Sequence, residues 1–375
     1  MKIGIESQRI YRKGKHGMEM VALELIREIQ RMDSSDEYIL FARNGSDNEC
    51  VKTTRNFKTR TLPGYTYADW EQVSLPLAIR KEKLSIIHCT ANTAPIVCPA
   101  PLLLTLHDVI FLEKSNLGGS AYQNYGNMYR RRIVPVAIRN AAHLITVSHS
   151  EKQIIIDTCR VDPDKISVIY NGVSEHFHNG HEAVARENLR KKLKLPAQFI
   201  LFHGNTAPKK NTVNVIKAYI RYCYEFRDTL PIVITDYPAD QVMRVLRETG
   251  DMHFASSFFF PGYVSSDDMP LLYSCASLFL YPSLRESFGL PILEAMASGV
   301  PVISSDRSAM AEIAGGAASL VNPADPQEIA AAIIGLHSDS EERNWLIGQG
   351  LERAKAFSWK TTALQVMKLY HMYGR

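Results

Sequence analysis

Tyr281-Pro-Ser-Leu-Arg-Glu-Ser-Phe-Gly-Leu-Pro-Ile-Leu-Glu-Ala-Met-Ala-Ser-Gly299 is the stretch around which the chain is read. An apolar strand, Leu278 to Tyr281, runs into a turn holding Gly289. Pro291 then suits the first position of an apolar helix that Gly299 closes. Strand, glycine turn and helix N-terminus place free backbone N–H groups where an anion can sit. Two carboxylates, Glu286 and Glu294, flank the turn with seven residues between them. Carboxylates accept hydrogen bonds from hydroxyls. Anion and hydroxyls together point to a nucleotide sugar. The bland alternative is that both carboxylates face solvent or favour the helix dipole. The apolar neighbours Ile292, Leu293, Ala295 and Met296 argue that Glu294 needs a partner.

Outward from this stretch, strand-like and helix-like runs alternate. Strands are expected at 2–6, 38–41, 57–61, 85–88, 102–106, 144–147 and 166–169. Helices are expected at 17–32, from Tyr67 to Lys83, from Ala121 to Ala141 with a kink at Pro135, and after Ser148. Residues 174–181 are polar and His-rich and read as a linker. Alternation then restarts, with strands at 199–203, 231–235, 257–260, 278–281, 301–304 and 318–321. The pattern predicts an α/β chain of two doubly wound, Rossmann-like parallel-sheet domains. The first spans 1–175 and regains 358–375 as a helix that crosses back; the second spans 176–357.

Composition is that of a globular protein: 375 residues, 46% hydrophobic, 22% charged, formal net charge +4. That charge is too weak to argue for nucleic acid. The six cysteines are scattered, without CxxC or metal spacing, as expected of reduced thiols in a cytoplasmic protein. No apolar run approaches the ~18 residues of a spanning helix. Arg130-Arg-Arg132, with Tyr122, Tyr125 and Tyr129, can meet anionic lipid at the inner membrane face, although a solvated helix face is the blander reading. No metal or other cofactor is expected.

Ligands of such sheets bind beyond the carboxyl ends of strands. Three further stretches lie there. Gly14-Lys-His-Gly-Met18 follows the first strand, His107-Asp108 follows 102–106, and Gly204-Asn-Thr-Ala-Pro-Lys-Lys-Asn211 follows 199–203. Each has a bland reading: turn glycines, a histidine bonded to local backbone, a solvated lysine pair. Lysines at a helix N-terminus oppose its dipole unless an anion lies between, which favours a diphosphate beside Lys209 and Lys210.

With these residues the chain resembles a family-4 retaining glycosyltransferase ("glycosyl transferases group 1") of the GT-B fold, in which two such domains face a central cleft. Glu286-Ser-Phe-Gly-Leu-Pro-Ile-Leu-Glu294 matches the E-x7-E motif of that family. Phe260-Pro-Gly-Tyr-Val264, Leu271-Leu-Tyr-Ser-Cys-Ala276, Ile145-Thr-Val-Ser-His149 and Lys165-Ile-Ser-Val-Ile-Tyr-Asn-Gly-Val173 are similar to its other conserved stretches. The resemblance implies transfer of a hexose from a nucleotide-diphosphate sugar to a glycan or lipid-linked acceptor, with acceptor on the first domain and donor on the second. It implies that Glu286 binds donor-sugar hydroxyls and Glu294 the ribose diol. Ser287, Phe288, Gly289 and Leu290 offer backbone to sugar and diphosphate, Lys210 binds the diphosphate, and Val264 meets the base. His107 stands near the reacting carbon, and Gly17 in the glycine loop. Asn205 departs from the arginine common at its position, so one diphosphate cation is missing or is replaced by Lys209. Some mannosyltransferase-like relatives share an asparagine there, which leans towards GDP-mannose, and the family resemblance implies envelope polysaccharide synthesis. A UDP-glucose or UDP-GlcNAc donor, a nucleotide-sugar epimerase of the same fold, and a non-catalytic partner subunit are the alternatives.

Overall fold

The computed structural model describes residues 1–374 apart from 13, 16, 46, 48 and 114–120, and leaves aside the side chains of 113 and 121–124. Tyr122, one of the tyrosines read beside the arginine cluster, therefore lies outside the described side chains. Inter-residue contacts divide the chain into two compact units: Met1–Gly172 with Trp359–Arg375, and Val173–Ser358.

The first unit is built on seven parallel strands: β1 (Lys2–Glu6), β2 (Glu37–Ala42), β3 (Phe57–Thr61), β4 (Ile86–Cys89), β5 (Leu102–Leu106), β6 (His143–Thr146) and β7 (Ile166–Val168). Their spatial order is β3-β2-β1-β4-β5-β6-β7. The interior strands β4, β5 and β6 are buried at every residue, as a sheet covered by helices on both faces requires. Only β3, at one edge, alternates buried Phe57 with exposed Lys58 and Arg60. Helix Trp359–Tyr373 returns to this unit and shares its core with helix Met18–Met32 through Ala363, Val366, Leu369 and Tyr370. The Tyr370 hydroxyl lies 2.8 Å from His88 Nδ1.

The single helix expected from Tyr67 to Lys83 is three pieces. Tyr67–Asp69 is a helical turn capped by Thr66, Trp70–Ser74 is a π turn, and Leu75–Glu82 is α-helical. The wider turn sets Trp70 and Glu71 both inward, each fully buried. Glu71 is satisfied by the hydroxyls of Tyr67 (2.8 Å), Thr93 (2.5 Å) and Tyr129 (2.5 Å). Trp70, Tyr67 and Tyr129 thus serve the interior of the unit. Helix Ala121–Asn140 continues through Pro135.

The second unit has six parallel strands: β8 (Ile200–His203), β9 (Ile232–Thr235), β10 (Phe258–Phe259), β11 (Leu278–Tyr281), β12 (Val302–Ser305) and β13 (Ser319–Val321). Their order is β10-β9-β8-β11-β12-β13. The winding reverses between β8 and β11. A crevice opens at such a point because the connections from the two central strands leave to opposite sides. The stretch after β8 and the stretch after β11 were read separately in the sequence. The topology makes them neighbours.

Candidate functional site

After β11 the chain runs through Pro282 to Gly289 and enters helix Leu290–Ala297. Gly289 adopts φ 107°, a conformation that costs a residue with a Cβ, and its position caps the helix without a side-chain hydrogen bond. Pro291 has no N–H and Ile292 N donates to Gly289 O (3.0 Å), so this helix start has no side-chain cap from Gly289 and carries the positive end of the dipole.

The loop after β8 is tied to this turn. Asn211, at φ 62°, donates from Nδ2 to Pro282 O (2.9 Å) and to Pro323 O (2.6 Å). Leu284 N donates to Lys209 O at 2.7 Å. These bonds bring Lys210 to the glutamate: its Nζ is 2.8 Å from Glu286 Oε1 and 3.0 Å from the Tyr281 hydroxyl. The ammonium also sits 4.9 Å from the centre of the Tyr281 ring. Glu286 is buried, and its backbone carbonyl accepts from Ser308 Oγ (2.5 Å) and Arg285 Nη1 (3.0 Å). A lysine–carboxylate pair this enclosed is poor as a stabilising device, because desolvation offsets its attraction. It does present one cation and one carboxylate beside an open helix N-terminus.

One helical turn on, Glu294 Oε2 accepts from the Tyr273 hydroxyl at 3.0 Å. Burial pushes this carboxyl up to about 7, against the opposing hydrogen bond from Tyr273. Val264 and Phe288 are buried in the same unit, Val264 in the loop after β10. Asn205 Oδ1 accepts from Ala207 N at 2.8 Å, so that oxygen shapes its own turn. Gly204 is explained by packing: a Cβ there would meet Tyr237 Cβ at 2.6 Å.

In the first unit, His107 is buried just after β5. Its N–H donates to Asn92 Oδ1 (2.6 Å), and Nε2 lies 2.9 Å from Thr90 O. A carbonyl partner requires the hydrogen on Nε2, which leaves Nδ1 as the acceptor. Burial lowers its pKa, so the ring is neutral. Gly17, at φ 49°, precedes helix Met18–Met32, and a Cβ there would meet nothing within 4 Å. Two of the three clustered arginines make contacts within the unit. Arg131 Nε donates to Phe111 O at 2.7 Å, and Arg130 lies 5.7 Å from the Phe111 ring centre. Arg130 and Arg131 are half-buried, and Arg132 is exposed. Among the described residues no three His, Cys, Asp or Glu side chains gather as a metal site.

Residues 15–177 match the family described as "Glycosyltransferase Family 4", and residues 185–353 match "Glycosyl transferases group 1". The chain belongs to this glycosyltransferase family. O-antigen chain mannosyltransferase B of Escherichia coli is 30% identical over 65% of this chain and 64% of its own length. O-antigen chain mannosyltransferase RfbU of Salmonella typhimurium is 28% identical over 76% of this chain and 74% of its own. The match thus spans a little under two thirds of the first of these relatives. The structure of Anabaena HepE in complex with UDP and glucose superposes with a TM-score of 0.74, at 19% identity, covering 99% of both chains. That likeness establishes the GT-B fold.

Within this glycosyltransferase, Lys209, Lys210, Glu286 and the backbone of Ser287 to Leu290 come together at the β8/β11 reversal, with Glu294 one helical turn on. His107 and Gly17 belong to the other unit. Sequence reasoning missed Tyr281, Tyr273 and His203. Two of these end a strand at the reversal, which is a signal only once strand order is known. It also missed Ser308, whose φ of 59° has no mark in the sequence.

Proposed function

We propose that the chain transfers a hexose, mannose from GDP-mannose foremost, to a glycan or lipid-linked acceptor, with retention of anomeric configuration. The observation that carries this reading is the Lys210–Glu286 pair beside the uncapped N-terminus of helix Leu290–Ala297. One carboxylate for sugar hydroxyls, one cation and a helix dipole for a diphosphate match the two ends of an activated sugar. Glu294 takes the ribose diol and Val264 backs the base. Lys209 supplements Lys210, and Asn205 shapes the loop that carries them. The mannose preference rests on the names of the two O-antigen relatives. Acceptor binding falls to the first unit, where His107 and Gly17 stand.

In the proposed reaction the anomeric C–O bond to the diphosphate breaks and an acceptor hydroxyl adds from the same face. Its proton passes to the departing phosphate oxygen. Lys210 and the helix N-terminus stabilise the leaving group without a metal, and His107 keeps the role near the reacting carbon that the family resemblance gives it. A panel of nucleotide sugars in thermal denaturation tests the donor. A ligand at a hundred times its dissociation constant stabilises by about 2.7 kcal/mol, about 5–10 °C for a unit this size. We expect the largest shift with GDP-mannose. A shift with UDP-glucose or UDP-GlcNAc alone would reassign the donor. Epimerised sugar formed without acceptor would make the chain an epimerase. No shift and no slow donor hydrolysis would make it a partner subunit.

An acceptor carried on lipid is supported by a separate surface of the first unit. Val73, Leu77, Ile96 and Val97 are 40–73% exposed. Gln72 accepts from Ile96 N (2.9 Å) and Asn140 donates to Ile96 O (2.8 Å), which holds the loop between two helices. Exposed Arg80, Lys81, Lys83, Arg132 and Arg139 lie on the same segments, and residues 83–107 and 121–150 contain no Asp or Glu. Apolar tips in a basic rim suit an anionic bilayer. No helix among the described residues is long and apolar enough to cross a membrane. The protein is expected to sediment with phosphatidylglycerol vesicles and not with phosphatidylcholine. Leu77→Glu with Val97→Glu should release it; retention by that variant would remove this surface from the reading.

A further inference from the structure

Four side chains outside the lysine–glutamate pair form a continuous line along the carboxyl edge of the second sheet. Thr235 ends β9 and His203 ends β8. Tyr273 stands on helix Met269–Cys275, and Glu294 on helix Leu290–Ala297. Thr235 Oγ1 is 2.6 Å from His203 Nδ1, His203 Nε2 is 2.8 Å from the Tyr273 hydroxyl, and that hydroxyl is 3.0 Å from Glu294 Oε2. The two central members are held by packing. Tyr273 is fully buried, with Phe279 5.1 Å and Phe177 5.7 Å from its ring centre.

Each member has a limited set of donors and acceptors, so the charge on Glu294 fixes the direction of the whole line. When Glu294 is a carboxylate, Tyr273 must donate to it. The Tyr273 oxygen then accepts from His203 Nε2–H, and Nδ1 accepts from Thr235. When Glu294 is protonated, its O–H donates to Tyr273 and every bond can reverse. Tyr273 then donates to Nε2, and the histidine hydrogen moves to Nδ1, facing Thr235.

We propose that Thr235, His203 and Tyr273 are positioning residues that aim Glu294 and couple its protonation to the tautomer of His203. The proposal rests on the donor reading only in giving Glu294 the ribose diol to hold. Two electrostatic facts support it. Burial keeps the Glu294 carboxyl near 7, so both directions fall within the working pH range. Burial, with the Lys210 charge nearby, pushes His203 down to about 3, so the ring changes tautomer without becoming a cation. Among the described residues, the other titratable groups facing the line are Tyr281, which lies near both Glu286 and Glu294, and Lys210, which is already engaged by Tyr281 and Glu286.

The test is 15N NMR of the histidine rings in the unliganded full chain, with His203 assigned by its loss in His203→Gln. From pH 8.5 to 5.5 the His203 signals should pass from the Nε2–H to the Nδ1–H pattern, without the imidazolium pattern. The midpoint should match that of Glu294 followed by 13C and assigned with Glu294→Gln. In Tyr273→Phe the Glu294 midpoint should rise, because the donated bond that favours its charge is gone, and the two titrations should separate. A single tautomer throughout, imidazolium formation, or an unmoved Glu294 midpoint in Tyr273→Phe would overturn the relay; if that variant does not fold, the wild-type tautomer change decides alone. In steady-state assays Tyr273→Phe should raise the donor KM about fivefold, the scale of one hydrogen bond, with kcat nearly unchanged. A switching tautomer with an unchanged donor KM would remove the ribose diol from Glu294 and leave the relay standing.

Discussion

Glu286→Ala is expected to give a folded protein that transfers sugar at least about a hundredfold more slowly, the scale on which preorganised polar groups act at a reacting centre. The fold should survive because the glutamate backbone is held independently of its side chain. Ser308 and Arg285 both donate to its carbonyl, and Asn211 and Lys209 hold the preceding loop. The side chain has a different task. It is buried against Lys210, and no gain in stability requires a desolvated pair there. In the proposed reading the pair offers an oriented carboxylate for hydroxyls and an ammonium whose one remaining N–H is left for a diphosphate. Circular dichroism and the melting temperature establish the fold, and donor turnover gives the result. Wild-type turnover in a folded Glu286→Ala protein would take the donor sugar away from this residue.

Lys210→Ala should cost at least about tenfold in rate, one charge-assisted phosphate contact. It also strands Glu286. Without the ammonium at 2.8 Å, the buried carboxyl has lost its countercharge, the costly way to break such a pair. Unchanged kinetics would shift the diphosphate role to Lys209. Because both variants break the same pair, the double variant should lose less than the sum of the two.

The alternation of strands and helices was legible because parallel strands buried on both faces read as short apolar runs, and β4, β5 and β11 are such runs. The E-x7-E stretch was legible because turn glycine, helix proline and both carboxylates lie within one short segment. What escaped depended on distant partners. Nothing local marks the π turn at Trp70–Ser74, whose inward Glu71 answers to Thr93 and Tyr129. Nothing local shows that Arg131 caps Phe111 O or that Gly204 yields its space to Tyr237. The lysine pair and Glu286 were recognised separately. Only the order β8-β11, across more than seventy residues, makes them one site.

The return of helix Trp359–Tyr373 to the first unit sets an order on synthesis. The residues that cover helix Met18–Met32 and bond His88 are made only after all of Val173–Ser358. At ordinary elongation rates that interval is roughly ten to forty seconds. Throughout it the first sheet can form, but one apolar flank stays uncovered. The second unit therefore holds all its residues once Ser358 is made, before the first does, although it is encoded second. The first closes last, around a helix that doubles as its final staple.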